Sequence, residues 1–204
     1  MSKFPLNETG SSPPLPPDER TEVLYNQDEI ARTVLETNYT IKHSLDCCID
    51  VNGPSMFVIP NNPVTKSWID MKDRDVRIRF ISVITKDNLK YCKELMKIGE
   101  IRHLDEVKGN FGIGDKRVYH GGADTIKSGP PPVMIISTVK SFVEQQQYFF
   151  DMLWNKAIPA EQRVREIEEG IEPEVIETIR DPIEIQRTGH DIIRSAKSEI
   201  LIIL

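Results

Sequence analysis

Between residues 28 and 98 the apolar spacing switches repeatedly between two periods, and this alternation restricts the architecture more than any single motif. Ile30, Ala31, Val34, Leu35, Ile41 and Leu45 recur at helical spacing from Asp28 onward. Such spacing marks a one-sided amphipathic helix. Residues 47–51 then read as a short strand, and Asn52-Gly53-Pro54 breaks it. Pro63 suits the first turn of a second helix, where a missing N–H costs nothing. That helix carries Trp68, Ile69 and Met71, and residues 73–75 end it. Val76, Ile78 and Phe80 alternate with Arg77 and Arg79 before the run turns wholly apolar toward Ile84, as a strand does. Thr85 is placed to cap a third helix over 86–98, whose Leu89, Cys92, Leu95 and Met96 face one way. Helix, strand, helix, strand, helix predicts an α/β fold: a mixed, partly parallel sheet flanked by helices.

The chain then changes character. Residues 101–104, 110–113 and 117–120 read as short extended pieces, with a hairpin turn at Gly114-Asp115-Lys116. Residues 128–132 read as a loop and 133–137 as another strand. A helix is expected over 139–157, with Phe142, Val143, Phe149, Phe150, Leu153 and Trp154 in a wide apolar stripe. Pro159 opens a further helix that Gly170 stops. Its surface is so charged that it reads as a connector between domains. Asp181 can cap a last helix, with Pro182 at its first position and Glu184 completing a capping box. Ile185, Gly189, Ile192, Ile193 and Ala196 line one face of it, and residues 200–204 form an apolar run. This second helix-into-strand pattern predicts four segments: a proline-rich mobile tail over 1–20, an α/β domain over 21–157, a charged helical connector over 158–180, and the start of an incomplete second α/β domain over 181–204.

Composition narrows the function classes. Apolar residues make up 39% and charged residues 28% of the 204, a globular balance, and the net charge is −6. Nothing in that charge draws the chain toward nucleic acid or an anionic membrane. No apolar run approaches the ~18–20 residues that span a bilayer. The first residues lack a basic-then-apolar leader, so a cytoplasmic location is expected. Three cysteines, two of them adjacent (Cys47, Cys48 and Cys92), make a poor disulfide framework, and buried thiols are expected.

Catalytic signatures are missing. A phosphodiesterase of the phospholipase D type needs a His nucleophile and a Lys two residues on, so that imidazole and ammonium grip one phosphate. None of His43, His103, His120 and His190 has that lysine. Gly112-Ile113-Gly114 lacks the further glycines and Gly-Lys-Ser of a phosphate cradle. His190-Asp191 resembles the start of a phospho-accepting helix, but an ordinary surface histidine explains it. Asp46/Asp50 and Asp70/Asp73/Asp75 read as solvated strand and helix ends. No catalytic residue, metal site or cofactor is therefore expected. The polar groups near strand exits, Lys86, Asp87, Asn88, Arg102, His103 and His120, form the candidate ligand pocket, since open α/β sheets bind ligands beyond their strand ends.

The stretches ITKDNLKYCKELMKI (84–98), EIRHLDEVKGNFGI (100–113) and VEQQQYFFDMLWNKAIPAEQRVREIEEG (143–170) resemble the amino-terminal sensory region of archaeal multi-domain sensor histidine kinases. The resemblance covers most of 21–170 and continues through DPIEIQ (181–186) and SEILIIL (198–204). It implies a phospholipase-D-like α/β domain that has lost the His-x-Lys pair and senses an intracellular signal, with a histidine-kinase core as partner. Two departures stand out. The sequence holds no ATP-binding glycine boxes, and 115–124 differ from the expected pattern. The alternatives are a phosphodiesterase with a degenerate site and the effector domain of a transcription regulator. The exposed charged helix beside an apolar stripe predicts a homodimer, and a small-molecule signal is the remaining partner.

Overall fold

The structure, a computed structural model, describes residues 19–123, 133–171 and 181–195. The chain divides into two units, 1–171 and 172–204. In the first, eight strands lie in one sheet: β1 (Thr21–Leu24), β2 (Ser44–Ile49), β3 (Arg77–Ser82), β4 (Glu100–His103), β5 (Asn110–Gly114), β6 (Val118–Ala123), β7 (Val133–Ser137) and β8 (Ile158–Pro159). Its helices are α1 (Gln27–Thr40), α2 (Gly53–Phe57), α3 (Pro63–Asp73), α4 (Leu89–Leu95), α5 (Lys140–Lys156) and α6 (Ala160–Glu169). The strand order is β1-β7-β6-β5-β2-β3-β4-β8. Only β2, β3 and β4 run parallel, and every other neighbour is antiparallel. The mixed, partly parallel α/β sheet read from the sequence is the observed architecture.

Strand periodicity sorts the core onto two faces. Leu45, Cys47 and Ile49 of β2 and Ile78 and Phe80 of β3 join Trp68 and Met71 of α3 and Cys92 and Leu95 of α4. The intervening Cys48 and Ile81 face the other way, onto Val143, Phe150 and Trp154 of α5. A third, smaller cluster packs Ile30 and Val34 of α1 on Leu24 and Met134. All three cysteines are buried and free.

Local chemistry explains most boundaries. The Asn26 side chain accepts from the amides of Asp28 and Glu29 to start α1. Asn62 does the same for Val64 and Thr65 at α3, with Pro63 at the first position as expected. The hairpin between β5 and β6 turns through Asp115 and Lys116, both with positive φ (49° and 55°). The Asp115 carboxylate then accepts from the amides of Lys42, His43 and Ser44 at 2.7–2.9 Å, which ties the turn to the start of β2.

Several expectations need correction. Ile41 and Leu45 continue the helical spacing, yet α1 ends at Thr40 and Leu45 lies in β2, paired with Ile78 and Gly114. Two residues four apart fit either element, and the sheet ladder decides. Thr85 does not cap a helix over 86–98. Its amide donates to Asn88 Oδ1 at 2.9 Å in a separate turn, and α4 begins only at Leu89. The short α2 follows from Asp50, whose Oδ1 accepts from the amides of Asn52 and Gly53. The edge strands β1 and β8 had no visible alternation because they are four and two residues long. In α5 the inward stripe is Val143, Gln147, Phe150 and Trp154, so Phe149 is exposed.

The charged α6 is not a connector that starts at 158. β8 pairs with β4, Ala160 and Val164 are buried, and Lys93 of α4 forms an ion pair with Glu168. Its charges cover one face while a narrow apolar stripe faces the core. Gly170 ends it in the left-handed conformation (φ 67°), as read from the sequence. In the second unit, α7 (Pro182–Ser195) is capped by Asp181, whose carboxylate accepts from the amides of Ile183 and Glu184 at 2.9 Å. The expected strand at 200–204, the loop at 128–132 and nearly all of the tail lie outside the described residues. No helix among the described residues is long and apolar enough to cross a membrane.

Candidate functional site

The six residues of the expected ligand pocket are divided among three places. Lys86 and Asp87 are exposed on the loop after β3. Asn88 is buried and holds loops together, its Nδ2 donating to the carbonyls of Val51 and Val83 at 2.9 and 2.7 Å. His103 is a strut as well. Its Nδ1 accepts from the Ile84 amide at 3.0 Å and its Nε2 lies 3.3 Å from Asp105. Burial lowers the His103 pKa, against the pull of Asp105 and with help from Arg163. Arg102 points to the opposite face, onto the Trp154 ring, and donates to the Trp154 carbonyl. His120 shares a face with His103, but β5, β2 and β3 intervene. At about 4.8 Å per strand the two strands that carry them lie about 19 Å apart.

His120 instead lines a cavity of about 310 Å³ between α1, α3 and the sheet. Its apolar walls include Ile30, Val34, Ile49, Phe57, Trp68 and Met134, and none of its lining residues among the described ones carries a charge. Among the described residues, two that line it hold a side-chain atom buried without a hydrogen-bond partner and closed to solvent, Asn38 Oδ1 and His120 Nε2. The imidazole fits because its neighbour across the ladder is Gly112, where a Cβ would come within 2.7 Å of His120 Cε1. Burial drives the His120 pKa down from 6.5 to about 4, so the ring is neutral near pH 7. Cys47 also borders the cavity, and burial beside Asp46 pushes its thiol above the ordinary range, so it is no nucleophile.

The opposite face holds a polar network that reading the sequence missed. Asp46 is fully buried rather than solvated. Both its oxygens accept from Arg79, at 2.7 Å each, and Gln147 Nε2 donates to it at 2.9 Å. Arg79 also reaches Asp151 at 3.0 Å, and its guanidinium lies 4.9 Å from the ring centres of both Phe150 and Trp154. The arrangement is a charge pair closed by α5. One signal was available: Arg79 shares its face of β3 with the apolar Ile81, so that face is covered too, and a cation there needs a buried partner.

No protein-family model and no curated protein sequence matches this chain. Solved structures do resemble it. NucT from Helicobacter pylori superposes with a TM-score of 0.57 at 9% identity, over 70% of this chain and 99% of its own. Nuc from Salmonella typhimurium, a phospholipase D family member, gives 0.55 at 14% identity, over 70% of this chain and 98% of its own. The fold is phospholipase-D-like. TrmBL2, an archaeal chromatin protein described as binding DNA, gives 0.51 at 16% identity over 70% of this chain. This chain spans about half of TrmBL2, 55% of its length. At these identities the likeness shows the fold alone. The phospholipase-D-like architecture here carries no His-x-Lys pair anywhere in the sequence.

Proposed function

We propose that this chain is a non-catalytic sensory or regulatory module of a histidine-kinase phosphorelay protein, built on a phospholipase-D-like scaffold. The observation that carries the reading is the cavity of about 310 Å³ bordered by a neutral His120, in a chain whose other buried histidine is occupied as a strut. Such a site has space to bind a molecule and lacks a nucleophile–base pair to transform it. A ligand between α1 and the sheet favours whichever packing of α1 it fits better, which is how binding becomes a signal. The kinase context rests on the resemblance of 84–113 and 143–170, and a second copy of the chain is the further partner this reading predicts.

The test is direct. Purified protein incubated with bis(p-nitrophenyl) phosphate is expected to release no nitrophenol above buffer. Turnover that survives purification and is abolished by His103→Ala or His120→Ala overturns the non-catalytic reading. Sedimentation is expected to give a dimer, and a monomer mass across micromolar concentrations removes that part. The kinase context fails if the gene encodes no histidine-kinase core in the same reading frame.

A further inference from the structure

We infer that His103 is a proton-operated latch: its neutral ring ties the loop over 83–88 to β4, and a proton on Nδ1 releases that loop. The inference goes beyond the reading above and does not depend on it, since it rests on the bonds around one buried ring.

The latch acts on the Ile84 peptide. The Ile84 amide donates to His103 Nδ1 at 3.0 Å, so Nδ1 carries no proton and the neutral ring keeps its one hydrogen on Nε2. Nε2 lies 3.3 Å from Asp105 Oδ1, an acceptor that suits that hydrogen. The Ile84 carbonyl accepts from Arg163 Nε of α6 at 3.5 Å, and Arg163 is itself paired with Glu166 at 3.1 Å. The site is closed to water: Ile84 is 0% exposed and His103 5%. A second proton on the ring sets two N–H groups head to head at 3.0 Å, with no room for water to separate them. The acceptor is lost outright, because an imidazolium only donates. Its positive charge also repels Arg163. One proton therefore weakens both ties on the Ile84 peptide.

Every element packed on the ring bears on when that proton arrives. Burial has the largest influence and disfavours the charged ring. Asp105 after β4, the Ser82 carbonyl of β3 and Glu166 of α6 favour it, while Arg163 of α6 opposes it. β8, paired with β4 here, brings Ile158 and Pro159 and no charge. The balance leaves the latched ring below the ordinary 6.5, so release is accompanied by proton uptake and is favoured as pH falls below 6.5. The release has a definite boundary. Asn88 Oδ1 accepts from the Thr85 amide at 2.9 Å, and Asn88 Nδ2 donates to the carbonyls of Val83 and Val51 at 2.7 and 2.9 Å. An amide side chain does not titrate in this range, so the turn keeps its own bonds while its tie to β4 and α6 is lost. The loop follows β3 and carries the exposed Lys86 and Asp87. It lies at the carboxyl end of a parallel strand, where open α/β sheets receive their ligands.

Nuclear magnetic resonance of the full chain, labelled with nitrogen-15, tests this between about pH 7.5 and 5. At the upper end the His103 ring is expected to carry its hydrogen on Nε2, with Nδ1 bare. Hydrogen exchange then reads the latch, after the chemical exchange rate at each pH is divided out. Protection of the Ile84 amide is expected to fall below pH 6.5, by up to about tenfold for each pH unit, since one proton is linked to release. Protection of the Thr85 amide, held by Asn88, is expected to stay level. His103→Asn offers an oxygen acceptor near the position of Nδ1 with nothing to titrate, and should keep Ile84 protected at every pH. Asp105→Asn decides the matter if that variant fails to fold, because the Asp105 side chain is 81% exposed. Loss of its carboxylate is expected to lower the pH at which the His103 ring titrates. A hydrogen on Nδ1 at pH 7.5, level protection of Ile84 down to pH 5, or a parallel fall at Thr85 each overturns the inference. So does a pH dependence that survives in His103→Asn, or a ring that titrates at higher pH in Asp105→Asn.

Discussion

Acidification tests the buried state of His120. Its pKa falls from 6.5 to about 4 on folding, by burial, whereas the unfolded chain keeps the ordinary value. Below pH 6.5 the unfolded state therefore takes a proton that the folded state refuses. The stabilising contribution is complete above about pH 6.5 and is lost progressively as pH falls toward 4. A shift of this size corresponds to about 3 kcal/mol in full, of which about 2 kcal/mol is gone near pH 5. For a chain of this length that lowers the melting temperature by about 4–8 °C. The assay is urea or thermal unfolding of wild type and His120→Phe at a series of pH values between about 7.5 and 4.5. His103 also has a lowered pKa and contributes in the same direction, but it is present in both proteins, so the difference isolates His120. The variant is expected to lose less stability than wild type on acidification, by about 2 kcal/mol near pH 5. Parallel curves, or a His120 ring resonance that titrates near 6.5, would refute the argument.

The remaining predictions follow from the other buried charges. Arg79→Leu leaves Asp46 buried without its cation and is expected to cost about 3–5 kcal/mol in urea unfolding. The double variant Asp46→Leu/Arg79→Leu should recover part of that loss, and a double variant less stable than Arg79→Leu counts against the pairing. Asp115→Ala removes the acceptor for three amides at the β5–β6 turn and is expected to cost about 1–3 kcal/mol. Burial works to raise the Asp115 pKa, but those amides of Ser44, Lys42 and His43 hold it below 3.8. Its contribution is therefore present above that value and lost only as pH falls through the lowered one, so the wild-type advantage over Asp115→Ala should persist at pH 5.

The elements most legible in the sequence were those whose local chemistry agreed with their tertiary setting. Pro63 after Asn62, Gly170 at the end of α6, and Asp115-Lys116 between β5 and β6 all carry their own hydrogen-bonding logic, and each sits where local rules put it. The alternation of Ile78 and Phe80 with Arg77 and Arg79 likewise fixed β3 and its inward face before any partner was known. The strands β1 and β8 and the reassignment of Leu45 were not legible, because a two-to-four-residue strand has no period of its own and exists only through the ladder that pairs it.

The candidate site shows the same division. The lack of His-x-Lys is a property of the sequence alone, and it removes that phosphate grip whatever the fold. The cavity is not written in any stretch of residues. Asn38 lies on α1, Ser67 on α3, Gly112 on β5 and His120 on β6, far apart in sequence. Only the sheet order, which sets β5 and β6 beside β2, brings a polar residue of one helix and a histidine of one strand to the lining of the same cavity. Local propensity chooses elements one at a time. Burial and hydrogen-bond satisfaction are properties of what surrounds an atom, and that is decided by the tertiary structure.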